Sequence, residues 1–267
     1  MKHTRILGSL TFTSCLRDRL LHVIFGVAVV IFLLIPTLSL FSMRQVQELA
    51  VNVSLSAISA VFLLIAALLG ASSVWREIEK RYALSILGLP VSRSQFVLGK
   101  FFGIATFMFL CGIVLGIAAA VAIAVSSAQY PSDLPLRWDN IILAITGDVL
   151  KSMLLAAIAL LVSCLSTSFY LPFFVTIAVY LAGSASQEVY EYLLGDYGKT
   201  IPSLIKMLIK GVYYIVPNFS AFDFKVYAIY SMPPDPRGIL FTLGYFLLYT
   251  SLVLLVAVKA FNRREML

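Results

Sequence analysis

Charge is scarce in this chain: Asp, Glu, Lys and Arg together make up 12% of its 267 residues, about half the roughly 25% usual in soluble domains. With 61% hydrophobic residues and a mean hydropathy of +0.97, so few charges cannot clothe a water-facing surface, and a soluble globular fold is excluded. Histidine is limited to His3 and His22 and there is no HExxH pair, which leaves a zinc hydrolase without ligands. The three cysteines, Cys15, Cys111 and Cys164, are too dispersed for a disulfide framework or a thiolate metal site. A phosphate loop is missing too. Gly198-Lys199-Thr200 ends like one, but the position of its first glycine is Leu193, and Gly195 falls two residues late. No catalytic residue, metal, directly bound cofactor or nucleic-acid partner is expected.

What the chain has in abundance is long apolar runs. A helix needs roughly 20 apolar residues to cross a hydrocarbon core about 30 Å thick, and six runs qualify: 20–41, 51–72, 100–126, 141–166, 169–184 and 239–259. The expected fold is all-α, a polytopic bundle of six transmembrane helices forming one domain over residues 1–267. The fifth run is the shortest. Pro36 and Pro172 lie inside or beside these runs, where neighbouring helices can satisfy freed backbone groups.

Lys and Arg near span ends favour the cytoplasm. An even number of spans with both termini inside puts three basic groups there: Lys2, Arg5, Arg17 and Arg19; then Arg76, Lys80, Arg81, Arg93 and Lys100; then Lys259, Arg263 and Arg264. The short outer loops then hold only Arg44 and Arg137. The segment 187–238 carries five basic residues on the opposite side, but it is long and also holds five acids, Glu188, Glu191, Asp196, Asp223 and Asp235, so the rule weakens there. The plasma (bacterial inner) membrane is the expected location. The cationic cluster at 17–19 lies too deep, and the following run is too long, for a cleaved signal. Residues 1–19 place Ile6, Leu7, Leu10, Cys15 and Leu16 among polar neighbours, the pattern of a cytoplasmic amphipathic interface helix; a frayed charged tail is the alternative.

The concentrated polar surface lies between the second and third runs, at residues 75–103: WREIEKRYALSILGLPVSRSQFVLGKFFG. Read as a helix leaving the membrane, it pairs Glu77 with Lys80 and Arg81 at i,i+3 and i,i+4. Gly88 and Pro90 break it, and Ser92-Arg93-Ser94 can cap the next helix. An ordinary solvated loop is the plain alternative. The order and spacing of E-I-E-K-R-x-A-L-S-I-L-x-L-P-V-S-R-x-x-F-V-L-G-K-F-x-G over 77–103 resemble the signature of type-2 ABC exporter permeases, six-span subunits of ATP-driven exporters. The cluster Arg17-Asp18-Arg19 and the stretch PNFSAFD at 217–223 resemble it more weakly. Tyr82 departs from the pattern, where threonine is common. The resemblance implies that 73–99 is a coupling segment seated in a cleft of a separate ABC ATP-binding subunit, which holds ATP and Mg. Glu77, Glu79, Lys80 and Arg81 would then make its polar contacts, Pro90 would fix the turn, and Arg93 and Lys100 could also meet anionic membrane lipids. It also implies a homodimer, or a heterodimer with a related permease.

Within the fourth run Asp148 and Lys151 stand at i,i+3. An ionisable residue at mid-membrane costs on the order of 3 kcal/mol, so the pair either faces a translocation path or neutralises itself at the outer surface. Gly112, Gly116, Ala118, Ala119 and Ala120 favour close helix packing. In 187–238 an amphipathic stretch at 201–210 and seven aromatic residues, Tyr213, Tyr214, Phe219, Phe222, Phe224, Tyr227 and Tyr230, suit an outer interfacial anchor. The resemblance implies re-entrant helices there. A secondary transporter, or a membrane anchor that recruits a cytoplasmic factor without transport, are the competing functions.

Overall fold

A computed structural model describes residues 2–42, 45–79, 92–129, 135–195 and 202–263. Helix dominates, with no strand among the described residues: α1 Lys2–Leu16, α2 Arg19–Ser39 continued by a 3-10 turn Leu40–Ser42, α3 Val46–Glu79, α4 Arg93–Gln129, α5 Trp138–Leu165, α6 Tyr170–Leu194, α7 Ser203–Ile215, a 3-10 turn Ser220–Phe222, α8 Lys225–Ile229 and α9 Pro236–Arg263.

Five of these helices, α2 with its 3-10 turn, α3, α4, α5 and α9, are long and apolar enough to cross a membrane, which marks an integral membrane protein of all-α architecture. The fifth predicted run lies in α6. That helix is 25 residues long, but its second half carries Ser184, Ser186, Gln187, Glu188 and Glu191, and this polarity keeps it out of the apolar set. Pro36 sits inside α2 without ending it.

The core is built on α3 and α5. Both are mostly buried, whereas α2, α4 and α9 turn large apolar side chains such as Leu33, Phe109, Ile117, Leu248 and Leu255 outward. An outer surface this apolar belongs in lipid rather than water. Small residues set the contact distances. A methyl group added at Gly70 would lie 2.2 Å from the Ala159 Cβ, and one added at Gly112 would lie 2.7 Å from Val149 Cγ2. The predicted packing role of Gly112 is therefore seen, with α5 as its neighbour.

α1 and α2 are separate helices with a break at Arg17-Asp18. The Asp18 side chain accepts a hydrogen bond from the Leu20 N–H at 3.0 Å and so caps α2. α1 crosses α4 closely: methyl groups added at Gly99 and Gly103 would lie 2.7 Å from Leu7 Cβ and 2.6 Å from the Gly8 carbonyl oxygen. The predicted apolar positions of α1 divide accordingly. Leu7 and Cys15 are buried against the bundle, while Ile6, Leu10 and Leu16 face outward.

The segment 217–223 is not a surface loop. It threads between α5, α6 and α9, and most of its N–H groups are paired. Phe219 N–H donates to the Gly183 carbonyl at 3.2 Å, Asn218 N–H to the Tyr245 hydroxyl at 2.9 Å, and Thr242 Oγ1 to the Ala221 carbonyl at 3.0 Å. Phe219 and Phe222 are fully buried. Irregular backbone is tolerated in such surroundings because protein groups replace water as partners.

Candidate functional site

Among the described residues two charged clusters stand out, one at the end of the helical bundle and one within it. The first forms where α1, α2, α3 and α4 meet. Arg76 on α3 pairs with Asp18 at 2.5 Å, and Glu77 pairs with Lys100 on α4. Lys100 is 7% exposed and its Nζ also lies 5.7 Å from the centre of the Phe96 ring, a cation–π contact. The pairs flank a cavity of about 220 Å³ that also takes in Cys15, Ser72 and Ser73. The consequence is mechanical: the last described turn of α3 is braced on two sides, to the α1–α2 junction and to α4.

This changes the reading of the predicted contact residues. Glu77 spends its charge on Lys100 inside the chain. Arg93 donates from Nη1 to the Asn262 carbonyl at 2.8 Å and to the Phe261 carbonyl at 3.4 Å, covering orphan carbonyls at the end of α9, where a cation is favoured. Phe96 stacks on Phe261 at 5.3 Å beside it. Lys100 is thus occupied by protein, and Arg93, half-buried, gives its Nη1 to α9. Glu79 alone of the described acidic pair is exposed. Lys80, Arg81, Tyr82 and Pro90 lie outside the described residues. The predicted start of α4 is met in detail: Ser92 Oγ accepts from Gln95 N–H at 3.3 Å while Gln95 Oε1 accepts from Ser92 N–H at 3.2 Å, a reciprocal capping box.

Cys15 borders the same cavity. Burial pushes its thiol from 9.0 up to about 12, against a smaller opposing pull from Lys100. The group is therefore neutral throughout the working pH range, and the thiolate is the reactive form. In a Cys111→Ser, Cys164→Ser background, maleimide labelling of the folded protein at pH 8 is expected to be slower by at least tenfold than in denaturant. Equal rates would show an open, ionisable thiol.

The second cluster is the predicted Asp148–Lys151 pair, present at 2.5 Å. Asp148 is 1% and Lys151 6% exposed, so the pair is enclosed by the chain rather than lying at its surface. A third member comes from α3: Ser59 Oγ donates to Asp148 Oδ2 at 2.6 Å. The Lys151 ammonium also lies 6.0 Å from the centre of the Tyr180 ring on α6. Three helices are pinned at one point. Each oxygen of the Asp148 carboxylate has a partner, the Lys151 ammonium on one side and the Ser59 hydroxyl on the other.

Sequence reasoning missed Asp18, Arg76, Lys100 and Ser59 as members of these clusters. Asp18 and Lys100 stood in the stretches that carried the resemblance, which was the available signal, but their partners are 58 and 23 residues away in the chain. Among the described residues no group of three or more His, Cys, Asp or Glu side chains is placed to hold a metal ion. No protein-family model and no curated protein matches this chain.

Proposed function

We propose that the chain is the membrane-spanning permease subunit of an ATP-driven exporter. It would work with itself or a related permease and with separate ABC ATP-binding subunits that hold ATP and Mg. The observation that carries this reading is α3. It runs 34 residues, beyond its apolar section, and its charged end is braced by Asp18 and Lys100. A force applied to the segment that follows Glu79 is thereby delivered to three helices at once, as coupling to a motor subunit requires. Glu79, Lys80 and Arg81, with Pro90 setting the turn, are the proposed contacts. Glu77 and Arg93 position that surface from within.

Six crossings, with both termini on one side, are supported by which ends meet; the cytoplasmic side of the plasma membrane is proposed from the basic groups alone. Trp75 near the end of α3 lies 5.8 Å from Phe169 at the start of α6, and Arg93 at the start of α4 reaches the end of α9. At the opposite end, Asn140 near the start of α5 donates to the carbonyls of Tyr227 and Met232. Between Phe169 and Tyr227 the chain must pass from one end to the other, and α6 is the helix that does so despite its polar second half.

Secondary transport draws support from the Asp148–Lys151 pair, since intramembrane charges mark ion paths, but the two charges neutralise each other. Affinity purification from native membranes in mild detergent discriminates. A stoichiometric ATP-binding subunit is expected to accompany the chain, with ATPase activity that responds to a transported molecule. A monodisperse chain purified alone would overturn the permease reading, and a bound ATPase indifferent to every substrate would favour the anchor.

A further inference from the structure

The crossing of α1 over α4 makes two niches. One is the charged cavity described above. The other opens outward on the far side of Gly8, between α1 and the face of α4 that carries Leu98, Phe102 and Thr106, and it encloses about 670 Å³, within the roughly 300–1,000 Å³ range of small-ligand sites. Its walls are apolar, from Phe12, Leu98 and Phe102, and Phe102 is 54% exposed. Its rim is polar, with Arg5 and Ser9 on α1. Arg5 is exposed and has no acidic partner among the described residues, whereas the cations Arg76, Lys100 and Lys151 are each paired with an acid of the chain and Arg93 caps the end of α9.

We propose that this niche is a binding site for one anionic phospholipid, with an acyl chain along Phe12, Leu98 and Phe102 and the headgroup phosphate at Arg5. Three observations converge on that occupant. The wall is apolar and opens to the outside of a bundle whose outer surface suits only lipid. The rim cation is unspent, so the complementary headgroup is anionic. And the exposed side of α1 mixes the apolar Ile6 and Leu10 with Arg5 and Ser9, a face suited to the membrane interface, where Arg5 would lie at headgroup level. The proposal depends on membrane placement and not on the permease reading. The bound lipid would act as a wedge holding α1 against α4, next to the brace on α3.

The test uses the full-length protein, delipidated in detergent, with native mass spectrometry of adducts formed from equal amounts of phosphatidylglycerol and phosphatidylcholine of matched acyl chains. One phosphatidylglycerol is expected to be retained preferentially. Arg5→Gln should weaken it about fivefold, the scale of one interfacial cation, and weaken phosphatidylcholine less, because the choline ammonium offsets its phosphate. Thr106→Trp, which fills the groove, should weaken both lipids. Arg237→Gln removes the same charge from an exposed site elsewhere and should change nothing. Arg5→Gln alters a single exposed side chain, so its unfolding temperature in detergent should match the parent. Equal losses from Arg5→Gln and Arg237→Gln would reduce the effect to net charge and overturn the proposal. Unchanged phosphatidylglycerol binding in both Arg5→Gln and Thr106→Trp would do the same.

Discussion

Lys151→Met is expected to destabilise the folded protein by about 3–5 kcal/mol, the cost of leaving a buried charge without its partner. Asp148 is 1% exposed, and with the ammonium gone its carboxylate keeps only the Ser59 hydroxyl. Asp148→Leu should cost as much, because it strands the ammonium beneath Tyr180. The double variant Asp148→Leu, Lys151→Met replaces both charges with apolar groups of similar length and should regain most of the loss, since a buried ion pair contributes little net stability over hydrophobic packing. Denaturant or thermal unfolding in detergent measures each. Losses below about 1 kcal/mol in both single variants would mean that water reaches the pair, and the enclosed-pin reading would give way to a hydrated path. Transport or ATPase activity of the double variant then separates a structural pin from a working site.

Charge reversal along α3 has the second large effect. Glu77→Lys would set an ammonium against Lys100, with Arg76 next to it in the chain, and is expected to cost about 3 kcal/mol. Exchanging the charges in Glu77→Lys, Lys100→Glu should recover much of this. Glu79→Lys, two residues on and exposed, should stay within about 0.5 kcal/mol of the parent. If the segment after α3 docks on an ATP-binding subunit, Glu79→Lys releases that subunit from a protein of unchanged stability. The reversal at Glu77 weakens association only in proportion to lost folding, and the exchange variant restores it. Retention of the subunit by Glu79→Lys would exclude Glu79 from the contact.

What the sequence made legible was whatever is local. Apolar runs announced the long helices because span length is a property of one segment. Ser92 announced the start of α4, since a cap acts over three residues, and Asp148 and Lys151 lay within one turn. Partners distant in the chain were not legible: Ser59 stands 89 residues from Asp148, and Lys100 meets Glu77 only because α3 and α4 pack side by side. The i,i+3 and i,i+4 partners read for Glu77, Lys80 and Arg81, lie outside the described residues, and its pair with Lys100 on α4 was not legible because a helix can offer a carboxylate to its own next turn or to a neighbour, and periodicity does not decide between them. Gly99 and Gly103 stood in the motif stretch, but their use in admitting α1 follows from where α1 lies. α6 holds the shortest of the six runs and, among the described helices of similar length, is the one that falls outside the apolar set.

The seating of residues 217–223 ties the order of biosynthesis to the stability of the whole. A methyl group at Gly147 would lie 2.5 Å from the Phe222 carbonyl oxygen, and one at Gly183 would lie 2.4 Å from that of Pro217, so α5 and α6 are notched for a stretch synthesised well after them. While a ribosome is still making that stretch, both notches stand empty and the carbonyl of Gly183 waits for the Phe219 N–H. The stretch is thus the keystone of an arch: the helices before it can pack on one another, but the two notches are filled only once it is in place.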